Sequence, residues 1–358
     1  LIKICISTEP EKLMTTFNPN GKKLVSLCLT GLFLFCIATG VFFISGCGDS
    51  KKKELNLGYK ILIPNLNEAT ITVIPAEESD EPYLIDLDYN PLFIQRLPDS
   101  KKIYVLQEST NEIAIIDKDT DTIIDTFRFE VGSSSDQTNF RLKFLPDGSK
   151  GFITTSYYAS GIACLDPSDN SFIEGINVNS TTIDNMFFNS TGNRLYAMDS
   201  SSQKIHSVNT GTMELVEDIL VPEQFSVTLY NADKSIFYMA ESGDNAAVKI
   251  YNLANDEFTD RIDDVADNIV KFMLSEDGKL LYVVGSDQIV TINTSDFTIE
   301  DTIDLDYREP SDFRFLSDSN YFIAPSKASS MLMILDSDLS TDETIAIGSN
   351  PGEVVVTK

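Results

Sequence analysis

Hydrophobic and polar residues alternate in short segments through most of the chain, and one stretch shows the pattern in full. In residues 140–178, Phe140, Leu142 and Phe144 alternate with basic residues and lead into a Pro-Asp-Gly turn at 146–148. A period of two residues is typical of a β-strand, and Pro-Asp-Gly is a turn signal. The stretch therefore predicts four consecutive strands, at residues 140–144, 152–156, 162–165 and 172–178. Such a meander leaves an apolar face uncovered, so copies of it must pack on one another.

Three markers repeat this unit along the chain. The turn after the first strand recurs at intervals of 48, 44, 42, 44 and 41 residues, at Asp99, Asp147, Thr191, Asp233, Asp277 and Asp318. An aromatic residue of the next strand recurs at Tyr104, Phe152, Tyr196, Tyr238, Tyr282 and Phe322. An Asp or Asn that closes the third strand recurs at Asp117, Asp166, Asn209, Asn252, Asn293 and Asp336. One period shared by three markers indicates a repeat architecture.

These markers define six units, and a seventh is divided between the two ends of the chain. Residues 59–63, 69–74 and 83–87 supply three strands near the start, and residues 353–357 supply a lone first-type strand at the end. Pairing of the last strand with the first three would close a ring and leave no open sheet between blades.

The repeated segments resemble the YVTN-type β-propeller repeat. The segments that carry the resemblance include LPDSKKIYVLQESTNEIAIIDKDTDTIIDTF, FLPDGSKGFITTSYYASGIACLDPSDNSFIEGI and SEDGKLLYVVGSDQIVTINTSDFTIEDTI. The resemblance covers nearly all of residues 57–358 and implies an all-β, seven-bladed propeller of four-stranded antiparallel blades over residues 58–358. It implies no particular chemistry, because this fold supports many functions.

The first part of the chain has a different pattern. Lys22 and Lys23 precede an uncharged apolar run at residues 24–44, which ends in Ile44-Ser45-Gly46-Cys47. A basic segment, an apolar segment and small residues before a cleavage point predict a secretory signal over residues 1–46. The final tetrapeptide resembles the lipobox of bacterial lipoproteins. That resemblance implies lipidation of Cys47, a polar tether over residues 47–57 and a location in the bacterial cell envelope, outside the cytoplasm.

Two other interpretations of this run stay open: an uncleaved transmembrane anchor, for which its length is sufficient, and a buried core helix. Met14 is a possible true start of the protein. Removal of residues 1–46 would take away four basic and two acidic side chains and change the formal net charge from −28 to −30. This charge would keep the protein away from anionic membrane surfaces, so the lipid would have to provide the attachment.

Composition excludes several classes of site. The strongly negative charge and the absence of a basic stripe argue against nucleic acid as a partner. Four of the five cysteines, Cys5, Cys28, Cys36 and Cys47, lie in the first part of the chain, so no disulfide framework is expected, and Cys164 is predicted to be a buried strand residue. Because the chain has one His and no Trp, its composition predicts no metal site and no cofactor.

Two acidic motifs and the single histidine resemble parts of functional sites but are predicted to be structural. The acids at 117, 119 and 121 have calcium-loop spacing, but Thr122 and Arg128 stand where an EF-hand needs Gly and Glu, so a hairpin turn is predicted. The acids at 336, 338 and 342 are interpreted in the same way. His206 is predicted to be a solvated strand residue.

The first strands of the repeats carry charges between apolar residues, and such strands line the central channel of a propeller. The residues concerned are Arg141, Lys143, Asn185, Lys271, Asp312 and Arg314. They predict a cationic funnel for a small anion such as a carboxylate or phosphate. The alternative is that these charges are solvated in a wet channel and discourage mispairing of strands.

Three functions remain. The first is a non-enzymatic, envelope-anchored binding or scaffold module for a protein or a small anion. The second is a lactonase-like hydrolase that uses carboxylates at the channel mouth. The third, an accessory factor of a periplasmic redox system, rests on fold analogy alone. The sequence leaves the oligomeric state open.

Overall fold

The chain divides into two compact units, Leu1–Leu55 and Asn56–Lys358. In the first unit, Thr15–Phe17 pairs antiparallel with Lys23–Val25. Cys47, most of the predicted signal segment, and residues 48–55 of the predicted tether lie outside the described residues. The computed structural model describes those two strands and residues 56–76, 81–108, 112–128, 141–155, 161–180, 182–221 and 224–358.

The second unit is a ring of four-stranded antiparallel sheets in which strands consecutive in the chain are hydrogen-bonded neighbours. Its described residues form seven such sheets and no helix, so the predicted seven-bladed β-propeller is confirmed. Blades 1–6 follow chain order, and blade 7 combines both ends of the unit. The four strands of each blade are called inner, second, third and outer.

In blades 1–3 these strands are Pro91–Arg96, Lys102–Gln107, Glu112–Asp117 and Thr122–Arg128; Leu142–Phe144, Gly151–Thr155, Gly161–Asp166 and Ser171–Asn177; and Asn185–Phe188, Arg194–Asp199, Lys204–Asn209 and Glu214–Leu220. In blades 4 and 5 they are Thr228–Asn231, Ile236–Ala240, Ala246–Asn252 and Glu257–Ala266; and Lys271–Leu274, Leu280–Val284, Gln288–Asn293 and Ile299–Asp304. In blades 6 and 7 they are Arg314–Leu316, Tyr321–Ser326, Met331–Leu335 and Thr341–Ala346; and Val355–Thr357, Lys60–Asn65, Thr70–Ile74 and Tyr83–Asp86.

The ring closes through the two ends of the unit, as the sequence predicts. Val355–Thr357 pairs antiparallel with Lys60–Asn65, with Lys60 opposite Thr357. Lys358 adds an ion pair of 2.8 Å with Asp318 of blade 6. The C-terminal strand therefore covers the edge of Lys60–Asn65, which would otherwise be unpaired.

The apolar core lies between blades. One buried cluster contains Tyr104 of blade 1 and Phe144 of blade 2, with ring centroids 4.9 Å apart, and other clusters join further neighbouring blades in the same way. Cys164 on a third strand is fully buried, as predicted, and burial raises the pKa of its thiol to about 12. The third strands are buried on both faces because a neighbouring blade covers each face.

The Asp or Asn that closes each third strand forms the same turn in six blades. Its side-chain oxygen accepts a hydrogen bond from the backbone N–H two residues later, at 2.8–2.9 Å, in an Asx turn. The residues are Asp117, Asp166, Asn209, Asn252, Asn293 and Asp336. The interpretation of the acidic motif at 117–121 as a hairpin turn is therefore confirmed.

Lysines near the start of four second strands use these turns to join blades. Each Nζ donates to the backbone carbonyl that directly follows the Asx residue of the next blade. The pairs are Lys102 with Pro167 (2.8 Å), Lys150 with Thr210 (3.1 Å), Lys234 with Thr294 (3.0 Å) and Lys60 with Lys118. The repeat thus encodes contacts between blades as well as the blades themselves.

Among the described residues, no helix is long and apolar enough to cross a membrane.

Candidate functional site

The inner strands converge on a cavity of about 390 Å³, called here the channel pocket. Its volume lies in the range of small-molecule sites. Blades 2 to 7 all contribute to its wall, which identifies it as part of the central channel. The wall consists of Arg141, Lys143, Asp184, Asn185, Phe187, Phe225, Ser226, Val227, Thr228, Leu229, Val270, Lys271, Phe272, Met273, Leu274, Phe313, Arg314 and Glu353.

Asp312 lies behind this wall and holds two of its cations. The carboxylate is fully buried and accepts ion-pair contacts of 2.9 Å from Lys271 Nζ and from Arg314 Nε. The backbone N–H groups of Phe313 and Val354 also donate to it, at 2.8 and 2.9 Å. Burial raises the pKa of Asp312, but these two cations and the N–H donors outweigh burial and hold the pKa well below its usual value. Asp312 is therefore a permanent anion that orients Lys271 and Arg314.

Glu353 is the acid on the wall closest to these cations. Its Oε2 lies 3.4 Å from Lys271 Nζ and 3.9 Å from Arg314 NH2, and about a third of the side chain is exposed. Burial and the nearby Asp312 raise the pKa of Glu353, but Lys271, Arg141 and Lys143 outweigh them and lower it. The pocket thus holds four basic side chains and, with Asp184, two acids on its wall and one behind it.

Lys143 differs from the other basic residues of the pocket. Its inner strand pairs it with Phe152 of the second strand, and the side chain points into the cavity. No described residue lies within hydrogen-bond or ion-pair distance of its Nζ. Burial, together with Lys271, Arg314 and Arg141, lowers the pKa of Lys143 to about 8, while Glu353 acts in the opposite direction. Within the part of the chain that the structure describes, Lys143 is therefore a cationic group of the pocket that forms no direct ion pair.

The wall also contains polar uncharged residues, Asn185, Ser226 and Thr228, and several apolar side chains. Phe187, Phe225, Leu229, Met273 and Phe313 come from blades 3 to 6. A charged group for orientation and an apolar surface for contact are the usual components of a small-molecule site. This combination suits an organic anion with a hydrocarbon part better than a bare inorganic ion.

A second cavity, of about 420 Å³, lies between blades 5 and 6. Met273, Tyr282, Phe315 and Phe322 form its apolar part, and Glu276 and Asp277 stand on its exposed rim. Asp277 is already paired with Lys279 at 2.8 Å. No set of buried charges converges on this cavity in the described residues, so the channel pocket is the better candidate site.

Five of the six channel residues singled out in the sequence lie on the pocket wall: Arg141, Lys143, Asn185, Lys271 and Arg314. The sixth, Asp312, is placed behind the wall. Sequence reasoning missed Glu353 and Asp184. Glu353 could have been found, because it is the first residue of the lone strand predicted over residues 353–357, and first strands line the channel.

The prediction that His206 is solvated is wrong. Its third strand is covered on both faces by neighbouring blades, and the residue is 1% exposed. Nδ1 lies 2.7 Å from Asp218, and Nε2 lies 3.7 Å from Asp199. Burial lowers the pKa of His206, but Asp199 and Asp218 outweigh burial and raise it above its usual value. His206 is therefore a buried, ion-paired structural residue.

The acids of the motif at 117–121 are held by protein groups. Asp119 pairs with Lys101 at 2.5 Å and with Lys118 at 2.7 Å, and Asp121 pairs with Lys60 at 2.7 Å. The part of the chain that the structure describes contains no group of three or more His, Cys, Asp or Glu side chains arranged to bind a metal.

No protein-family model matches the sequence, and no curated protein matches it either. Solved structures do resemble the fold. A functionally unknown protein from Desulfotomaculum acetoxidans is 13% identical with a TM-score of 0.66, and the match covers 83% of this chain and 98% of that one. A protein described as a candidate 6-phosphogluconolactonase from Bacteroides fragilis is 15% identical with a TM-score of 0.62, covering 87% and 100%.

A third similar structure is the dihydro-heme d1 dehydrogenase NirN in complex with DHE. It is 11% identical with a TM-score of 0.61, and the match covers 85% of this chain and 76% of that one. At such identities the similarities establish the propeller fold and no more. The function must be argued from the channel pocket itself.

Proposed function

We propose that this chain is an envelope-anchored lipoprotein whose propeller binds a small organic anion in the channel pocket without turning it over. The observation that carries the proposal is Lys143, whose Nζ has no hydrogen-bond or ion-pair partner among the described residues and lies in a cavity of about 390 Å³. An uncompensated charge in a confined site attracts an opposite charge more strongly than one in bulk water.

The surroundings of Lys143 support an anion further. Arg141, Lys271 and Arg314 share the cavity, and the last two are held in place by the buried Asp312. Preorganised cations lose little conformational freedom when a ligand binds. In a chain of net charge −28, a group of four basic side chains also provides a local exception to the general repulsion of anions.

Calorimetric titration of the propeller with a panel of small carboxylates and phosphates tests the proposal. Lys143→Met removes the Lys143 ammonium without breaking a described ion pair, and we expect at least about a tenfold loss of affinity for the anion. Lys279→Met is the matched control, because Lys279 is 79% exposed and lies outside the pocket. Failure of every anion to bind, or equal affinity in wild type and Lys143→Met, would contradict the proposal.

The anchoring part of the proposal rests on the sequence at residues 22–47 and needs its own test. In cells, a fatty-acid label should be incorporated into the wild-type protein, and Cys47→Ala should abolish the label and release the protein from the membrane fraction. Retention of Cys47→Ala in the membrane would instead favour an uncleaved transmembrane segment.

A further inference from the structure

Lys143 has the surroundings of an amine nucleophile as well as those of an anion-binding group. Lysines that react with carbonyl compounds must be uncharged for part of the time, which requires an apolar site or neighbouring cations. Both are present here: Phe187 and Leu229 line the same cavity, and Arg141, Lys271 and Arg314 share it.

The charges around Lys143 favour the free amine over the ammonium. The titratable groups on the elements around it are Arg141, Lys271, Arg314, Glu353, Asp184 and Asp312. Two of the acids are engaged elsewhere, since Asp312 is enclosed between Lys271 and Arg314 and Asp184 accepts a hydrogen bond of 2.7 Å from the backbone N–H of Ser200. Among the described acids, Glu353 is the one that raises the pKa of Lys143, and the pKa of about 8 leaves a useful fraction of amine near neutral pH.

The same arrangement selects the carbonyl compound. A carboxylate next to the carbonyl can pair with Arg141 or Arg314, which brings the carbonyl carbon towards Lys143. The apolar side chains of the wall, such as Phe187 and Leu229, can contact a hydrocarbon substituent on the other side of the carbonyl. An α-keto acid with a short apolar side chain combines these features.

We propose that Lys143 binds α-keto acids reversibly as a protonated imine, an inference that rests on the proposed anion-binding function and specifies its ligand class. The lone pair of the Lys143 amine attacks the carbonyl carbon, and the carbonyl oxygen takes up a proton to give a carbinolamine. Nitrogen then forms a double bond to carbon while the oxygen leaves as water. One amine, one keto acid and one proton thus yield one protonated imine and one water, with no change of oxidation state.

Glu353 lies where it can move the protons of this sequence. It shares the cavity with Lys143, is partly exposed and carries a lowered pKa, so it is a carboxylate that can accept a proton from the attacking nitrogen. It is a proton-transfer group in this proposal, and Arg141 and Arg314 are positioning residues.

Borohydride trapping tests the proposal on the full propeller. With pyruvate and borohydride, mass spectrometry should find one reduced adduct, on the peptide that contains Lys143. Lys143→Arg retains the charge but removes the nucleophile, and should lose this adduct completely, whereas Lys279→Arg should retain it. The trapping rate should rise with pH through about 8 and then level off, as the amine is released.

A second measurement separates this inference from the proposed function. Propionate, which has a carboxylate but no keto group, should bind to the pocket and protect Lys143 from trapping. If propionate binds by calorimetry and no adduct forms at Lys143, the imine proposal fails and the anion site remains. If neither acid binds, both proposals fail. Adducts spread over many exposed lysines, or retained in Lys143→Arg, would also overturn the imine proposal.

Should Lys143→Arg fold poorly, the wild-type protein gives an independent result. A lysine-selective acetylating reagent applied at about pH 8 should modify Lys143 ahead of the exposed lysines, and pyruvate should slow that modification. Equal or slower reaction at Lys143 would contradict the proposal.

Discussion

Two parts of each blade differ in how much their sequence varies from one blade to the next. They are the hairpin after the third strand and the inner strand. Each hairpin begins with Asp or Asn in all six complete blades, because the Asx turn needs that side chain. Six residues before the turn marker, in the inner strand or within two residues before it, the six blades have six different amino acids: Phe93, Arg141, Asn185, Val227, Lys271 and Asp312. The repeated positions build the ring, and the non-repeated positions give its channel an individual chemistry.

The largest effect is expected where an inner-strand charge also supports its neighbours. Asp312→Asn would leave Lys271 and Arg314 without their buried counter-ion. We expect a loss of about 3 kcal/mol in the free energy of unfolding at neutral pH. Because the folded pKa of Asp312 is lowered, this contribution is present above the pKa of the unfolded carboxyl and is lost as the pH falls through the folded pKa.

Asp318→Asn is the matched control for this change. Asp318 follows the same inner strand, but its side chain is 44% exposed and pairs with Lys358. Denaturant unfolding should show little change for this surface pair. Equal stability losses in Asp312→Asn and Asp318→Asn would mean that burial of the channel carboxylate contributes nothing.

A buried charge away from the channel is expected to have the next largest effect. His206→Gln leaves Asp199 and Asp218 without their imidazolium partner. Because the folded pKa of His206 is raised, its contribution is full below the pKa of the unfolded imidazole and is lost as the pH rises through the folded pKa. We expect a destabilisation of about 2 kcal/mol at pH ~5 and a clearly smaller one at pH ~9. Denaturant unfolding at both pH values measures it, and a difference that grows with pH would contradict the assignment.

The repeated contacts between blades should have smaller effects. Lys102→Met removes a hydrogen bond of 2.8 Å to Pro167 O of the next blade, and we expect a loss of about 1 kcal/mol. Its neighbour Lys101 is 66% exposed and pairs only with Asp119 among the described residues, so Lys101→Met should leave the thermal midpoint nearly unchanged. If both variants melt at the same temperature, the contact between blades has no energetic role.

The sequence predicted most of the ring because the ring depends on repeated local signals. Alternation, turn residues and the Asx positions each identify a strand or a hairpin without knowledge of distant contacts. The closing strand at Val355–Thr357 was predictable because the repeat count left one inner strand missing.

The sequence did not predict how charges pair across the ring. The contact of Asp312 with Lys271 joins blades 6 and 5, and that of Lys271 with Glu353 joins blades 5 and 7. Such pairs depend on the curvature of the ring and leave no periodic signal in the chain. The wrong prediction for His206 has the same cause. The alternation of residues around His206 identifies a strand, but only the packing of neighbouring blades shows that both faces of that strand are covered.

The smallest expected effect is the most informative about the inner strands. Lys143→Met replaces the cation without a counter-ion by an apolar side chain of similar length, so it should stabilise the fold. Because the folded pKa of Lys143 is about 8, against 10.5 for a free lysine, the folded state holds this proton less tightly than the unfolded state. The wild type should therefore gain stability as the pH rises from about 8 to about 10, and the variant should lack that gain.

Denaturant unfolding should show a free energy of unfolding about 0.5 kcal/mol higher for the variant at pH ~7, and no difference at pH ~10. The effect is small because water in the channel screens the repulsion. A less stable variant at pH ~7 would mean that Lys143 supports the ring, and the contrast between structural hairpins and functional inner strands would fail at the position where it matters most.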